Sequence, residues 1–171
     1  MDIIGPPSAL RTTVEANLPT GASSLFRSQM LPELWAAALL YGIDPVGMVA
    51  QSGKETGWGT FGGRVRPEFY NPAGIKVRHI DLAQQLIPTD DGDHPLVHQM
   101  FPNWRVGAVA HAQHLVAYTG GTVPGLVVDP RYTLVGPPFV MTWAGLGGRW
   151  APSPTYGLEI EDIMRRLTSE A

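Results

Sequence analysis

The stretch from Asp44 to Gly59 constrains the fold more than any other part of the chain. Asp44 is suited to cap a helix N-terminus. Pro45, with φ pre-set and no N–H to lose, suits the first helical position. Val46, Val49, Ala50 and Gly53 recur at helical spacing and form one buried face. Gly57, Gly59, Gly62 and Gly63 cannot sustain a helix, so the pattern predicts one over about 45–57. Glu55 then falls in the last turn of a mostly apolar helix, where the backbone dipole favours cations. Partial burial and the negative dipole end both raise a carboxyl pKa, which a general acid needs near neutral pH. Glu55 is therefore the leading catalytic candidate; the bland alternative is a helix-end carboxylate paired with Lys54 or Arg64.

The rest of the chain reads as mainly helical. Residues 1–21 carry Pro and Gly at both ends, with a short helix within 8–18, and read either as a cover for the core or as a linker. One or two helical turns are expected over 22–30. Leu31 to Gly42 is expected to be a helix with Leu34, Ala38 and Tyr41 on one face, joined to the next by a tight turn, so that the two pack as a hairpin. Residues 59–78 read as loop or irregular strand, 80–87 as a short amphipathic piece and 88–95 as a turn. Asn103 can cap a helix to about Tyr118, with Val106, Val109, Ala110 and Val116 inward. A loop or small hairpin over 122–138, a short helix over 139–146 and a last helix opening at Ser153-Pro154 complete the reading. With 44% hydrophobic and 16% charged residues, the 171-residue chain can bury one core, and it is expected to be one domain over 1–171.

Composition excludes several classes. There is no cysteine, hence no disulfide or thiolate metal site. No apolar run approaches the roughly 20 residues of a membrane span. A net charge of −3 and a pI of about 5.9 argue against nucleic acid as the main partner, and mean that any anionic surface must be bound locally.

Glu55-Thr56-Gly57-Trp58-Gly59 followed by Asn71-Pro72-Ala73-Gly74-Ile75-Lys76 resembles the Glu-Ser-Gly-Trp-Gly and Asn-Leu-Phe-Gly-Ile-Lys pair of bacterial cell-wall glucosaminidases, family 73 of the glycoside hydrolases, in the lysozyme-like superfamily. Phe101-Pro102-Asn103-Trp104 and Trp150-Ala151-Pro152-Ser153-Pro154-Thr155-Tyr156 are similar to two further landmarks of that family, in the same order. The resemblance implies a lysozyme-like helical lobe with a small irregular or β-hairpin lobe, a peptidoglycan glycan strand as substrate, and Glu55 as the acid that protonates the glycosidic oxygen. It places a second carboxylate in the window holding Asp90, Asp91 and Asp93, with Asp81 and Glu68 as weaker alternatives. The family typically has Glu there; Asp is one methylene shorter. Trp58, Asn71, Lys76, Trp150 and Tyr156 are expected to contact substrate, Asn71 offering its amide to an acetamido group. Trp150 stands where the family has Tyr and is expected to line the cleft.

A metal site built from Asp90, Asp91, Asp93, His94 and His98, or from the histidines with His111 and His114, fits no ligand pattern, so neither metal nor cofactor is expected. The chain is expected to act as a monomer. Met1–Pro7 lacks the basic start and apolar core of a signal peptide, so action at the wall is expected to follow synthesis in the cytoplasm and another delivery route, such as a phage lysis system. The rivals are a muramidase or lytic transglycosylase of the same superfamily and a non-catalytic wall-binding or virion module.

Overall fold

In the computed structural model, which describes residues 1–63, 65–84 and 94–169, the Asp44 side chain closes the start of the central helix. Its Oδ1 accepts from Val46 N at 3.0 Å and from Ser8 N at 3.2 Å. The helices are α1 (Arg11–Ala16), α2 (Leu31–Leu40), α3 (Pro45–Thr56), α4 (Ile80–Gln84), α5 (Trp104–Tyr118) and α6 (Tyr156–Thr168). A π-helical turn, Phe26–Met30, runs directly into α2. Helix α3 is buried over Pro45–Gly53 and packs between α2 and α6, so the expected α2–α3 hairpin is present.

Helix α5 follows its predicted bounds, with Asn103 Oδ1 accepting from Val106 N at 3.0 Å. Its burial differs from the single inner face expected. Gly107, Ala108, Ala110, Ala112 and Ala117 are buried on several sides, while Val106 and Val109 are only half-buried. Small side chains let neighbours approach from all round, which a search for one apolar stripe does not detect. The predicted helix over 139–146 is reduced to one 3₁₀ turn, Ala144–Leu146. The backbone before it is committed elsewhere: Val140 N donates to Tyr118 O, Ile3 N to Met141 O and Trp143 N to Met1 O, each at 2.9 Å. Helix α6 starts at Tyr156 rather than Ser153, after a turn in which Tyr156 N donates to Ser153 O.

Residues 1–21 are woven into this core. Ile3 and Val14 are fully buried, Asp44 N donates to Ile3 O, and α1 lies on α6. Among the described residues β-structure is confined to isolated bridges, including Lys76 with His98, and the described part of the small lobe is irregular.

That lobe is tied to itself and then seated on α5. Asn71 is its hub: Nδ2 donates to Ile75 O (2.8 Å) and Gln99 O (2.9 Å), while Oδ1 accepts from Ala73 N (3.3 Å) and Ile75 N (3.0 Å). Both amide hydrogens are thereby used within the loop, which removes the expected role of Asn71 as an amide donor to a sugar. Phe101 N donates to Phe69 O, and Ala73, Ile75 and Phe101 bury themselves against Ala110 of α5. The seat requires glycine at 107, because a Cβ there would stand 1.9 Å from the Tyr70 carbonyl oxygen. Gly107→Ala is expected to cost about 1–3 kcal/mol in denaturant unfolding, the usual range for overpacking. A loss within measurement error would show that the lobe does not rest on α5 there.

Candidate active site

The C-terminal turn of α3 sets the geometry. Gly57 adopts the left-handed conformation (φ 57°) and its N–H bonds Gly53 O, reversing the chain just after Glu55. The Glu55 side chain opens into a cleft of about 580 Å³ between the glycine-rich segment after α3 and Asn71, Gly74 and His98. Gly74 faces it closely: a Cβ built there would lie 3.6 Å from Glu55 Oε2, so a larger residue would begin to cover the carboxyl.

The other carboxyl oxygen is held from behind. Tyr156 OH donates to Glu55 Oε1 at 2.5 Å. Gln51 Nε2 donates to the Tyr156 oxygen at 3.0 Å, and His111 Nε2 lies 2.8 Å from Gln51 Oε1. His111 is fully buried, and burial, with His114 nearby adding to it, pushes its pKa down to about 3, so the ring is neutral. A neutral imidazole bonded to an amide oxygen carries its proton on that nitrogen, which leaves Nδ1 as the atom without a partner. Every hydrogen in the series then points the same way, from His111 through Gln51 and Tyr156 to Glu55. Burial, then the charge of Glu55, pushes the Tyr156 pKa far up, so it remains a donor.

Burial raises the pKa of Glu55 above the usual carboxylate value, opposed by the Tyr156 hydrogen bond, then by the Lys54 charge and the Trp150 indole. Lys54 itself is engaged across the helix pair, its Nζ 2.5 Å from Glu159 Oε2 on α6. The bland reading of Glu55 as a partner of Lys54 is thus displaced, and Arg64 lies outside the described residues. A carboxyl of raised pKa, fixed at one oxygen and open at the other, is suited to deliver a proton into the cleft.

The remaining candidates separate. Trp58 turns inward, its ring edge-on to Phe26 at 5.3 Å and over Gly53, where a Cβ would come within 2.5 Å of it. Its expected substrate contact is corrected accordingly: it packs on the core. Tyr156, expected to touch sugar, is buried and holds Glu55 instead. Trp150 is half-buried, packs on His114 (5.0 Å), Tyr118 (5.5 Å) and His111 (5.7 Å), and with Lys76 lines an extension of the groove of about 320 Å³ beyond Gly74. Asp90, Asp91 and Asp93 lie outside the described residues. Asp81 and Glu68 are exposed and absent from the cleft wall. His111 and His114, invoked for a zinc site, are taken up by Gln51 and Asp129, and among the described residues no three His, Asp or Glu side chains gather as a ligand set. The sequence does not single out Gln51, nor does it join His111 to Glu55 through Gln51 and Tyr156. The available signal is a Gln one turn before Glu55, following the apolar run Val46–Ala50, and a His set between Ala110 and Ala112.

A family model described as glucosaminidase, mannosyl-glycoprotein endo-beta-N-acetylglucosaminidase, matches residues 31–169. The fold resembles the catalytic domain of the autolysin Auto from Listeria monocytogenes, at 19% identity and a TM-score of 0.54 over 88% of this chain and 87% of that one. A peptidoglycan hydrolase from Sphingomonas sp. A1 aligns at 17% identity and a TM-score of 0.47 over 86% and 89% of the two chains, too loosely to bear on the fold. No curated protein matches.

Replacing Tyr156 with Phe tests the arrangement behind Glu55. The Tyr156 hydrogen bond lowers the Glu55 pKa, so its loss is expected to move the carboxyl titration upward, as read by NMR of labelled glutamate. The orphaned Gln51 amide should also cost about 1–3 kcal/mol of stability. A titration that stays in place or moves down contradicts the arrangement.

Proposed function

Because the chain belongs to the glucosaminidase family and is a glycoside hydrolase, we propose that it cleaves the glycan strand of bacterial peptidoglycan after N-acetylglucosamine, with Glu55 as general acid. The observation that carries this reading is the Glu55 carboxyl: pKa raised by burial, one oxygen fixed by Tyr156, the other facing an open groove. With Oε1 already accepting the Tyr156 hydrogen, the transferable proton sits on Oε2, on the cleft side. Delivered to the glycosidic oxygen, it neutralises the charge developing on the leaving sugar, and the anomeric carbon passes through an oxocarbenium-like state that water captures. Asp90, Asp91 and Asp93 are the proposed source of the carboxylate that assists that water. The site of action proposed is the bacterial cell wall.

Glu55→Gln keeps the shape of the side chain but cannot supply a proton. It is expected to lower solubilisation of purified cell walls by roughly 10²–10⁴-fold while the fold survives, and fragments released by the parent chain should end in reducing N-acetylglucosamine. A folded variant clearing walls at the parent rate sinks the assignment, and reducing muramic acid ends would identify a muramidase.

Stability carries a sign as well. The folded pKa of Glu55 is raised above the unfolded value, so the fold favours the protonated form. That preference is fully present below the unfolded pKa, and ionisation removes it as pH rises through the folded one. Glu55→Gln is therefore expected to melt higher than the parent at neutral pH, with the gap closing in acid. Parent activity should fall as pH rises through the same elevated value.

A further inference from the structure

The groove does not end at Trp150. Its extension shares His114, Tyr118, Arg131 and Arg149 with a further, strongly polar pocket of about 230 Å³ under the 134–137 segment. Two guanidinium groups reach this pocket, and neither has an acidic partner within ion-pair distance among the described residues. Arg131 Nη1 donates to Val77 O at 3.1 Å and Arg149 Nη2 to Gly136 O at 2.6 Å. Each guanidinium carries five N–H donors, so several remain unspent, and Arg149 Nε is buried without any partner. The nearby carboxylate, Asp129, makes no ion pair with either of them. It is buried, its Oδ2 bonded to His114 Nδ1 at 2.7 Å and its Oδ1 to Arg131 N at 2.9 Å, and it is not part of the pocket wall. A chain of net charge −3 thus keeps two cations without an ion-pair partner among the described residues in one polar recess at the end of its groove.

Planar guanidinium forks match carboxylates in geometry as well as charge. A neutral polymer of N-acetylglucosamine offers them amide and hydroxyl oxygens but no carboxylate. Peptidoglycan does, because alternate sugars bear a lactyl ether that carries an amide-linked acidic peptide, whose carboxylates project sideways from the strand. We propose that Arg131 and Arg149 form a carboxylate subsite for this peptide, so that the groove distinguishes peptide-bearing wall glycan from neutral chitin-like chains. The subsite rests on the proposal that the groove holds peptidoglycan. Trp150 and the Gly74–Lys76 segment then contact the strand between Glu55 and the anchored branch.

The test measures binding in the Glu55→Gln background, so that hydrolysis does not interfere. Calorimetric titrations compare a soluble peptidoglycan tetrasaccharide bearing its peptides with chitotetraose, at low and raised salt. The peptide-bearing ligand is expected to bind more tightly and with the steeper salt dependence. Adding Arg131→Gln or Arg149→Gln should weaken it by about tenfold or more, and chitotetraose by a much smaller factor. Arg149→Lys, which keeps charge but loses the fork, should fall between. Equal losses on both ligands, or none on the peptide-bearing one, would overturn the subsite. Melting temperatures identify a variant whose loop has collapsed with the Gly136 bond, and Arg131→Gln and Arg149→Lys then decide. A parent chain inert on cell walls would undo the proposed activity and leave this comparison readable.

Discussion

The structure depends on holding one carboxyl at the end of a helix that is buried along most of its length. Helix α3 places Glu55 where the dipole, the core and the cleft meet, and each of the first two opposes its ionisation. Such a group is retained only if its neighbours are fixed well enough to keep it in one geometry. Tyr156 supplies that constraint directly; Gln51 orients Tyr156 by occupying its acceptor side, and His111 in turn holds Gln51. The arrangement explains why a glutamine and a histidine stand in the interior where volume alone would favour apolar residues. Each of their side-chain polar atoms has a partner in the series except His111 Nδ1, and each bond adds direction to the next.

The same helix pair organises the walls of the groove. Helix α6 brings Tyr156 under Glu55 and Glu159 to Lys54, so the cation beside the catalytic candidate is drawn to the protein surface. On the opposite side, the described part of the small lobe is held by the Asn71 hub and by its seat on Gly107. Irregular backbone of this kind satisfies its polar groups through side chains, which lets Gly74 approach Glu55 and still leaves the carboxyl open. Beyond Gly74 the groove changes character, from an acid-bearing cleft to a recess lined by guanidinium groups. That change in lining matches a substrate whose backbone is neutral sugar and whose branches are acidic.

Much of this is legible in the amino-acid sequence. The bounds of α3 and α5 follow from Asp44, Pro45, Asn103 and the glycines, because caps and breakers act over a single turn of chain. The position of Glu55 at a helix end follows from the same local rules, and the motif resemblance supplies its role. What local rules determine, then, is helix start and stop, the presence of a carboxyl where the backbone field opposes it, and membership of a mainly helical class.

Tertiary structure alone decided the rest. Tyr156 meets Glu55 across 101 residues and Gln51 across 105, and no periodicity predicts which side chain closes such a loop. Trp58 and Trp150 are equal as aromatics in the sequence. Gly53 gives the first a place to lie inward, while the histidines of α5 hold the second at the groove. Asn71 reads as a ligand-binding amide by its type, but the backbone groups of Ala73, Ile75 and Gln99 claim it. The helix predicted over 139–146 is lost because Met1, Ile3 and Tyr118 take its backbone hydrogen bonds. In each case the outcome is set by competition for a hydrogen bond or a packing space between residues far apart in sequence. Local propensity fixes the bounds of an element, but it carries no information about which distant group will win that competition.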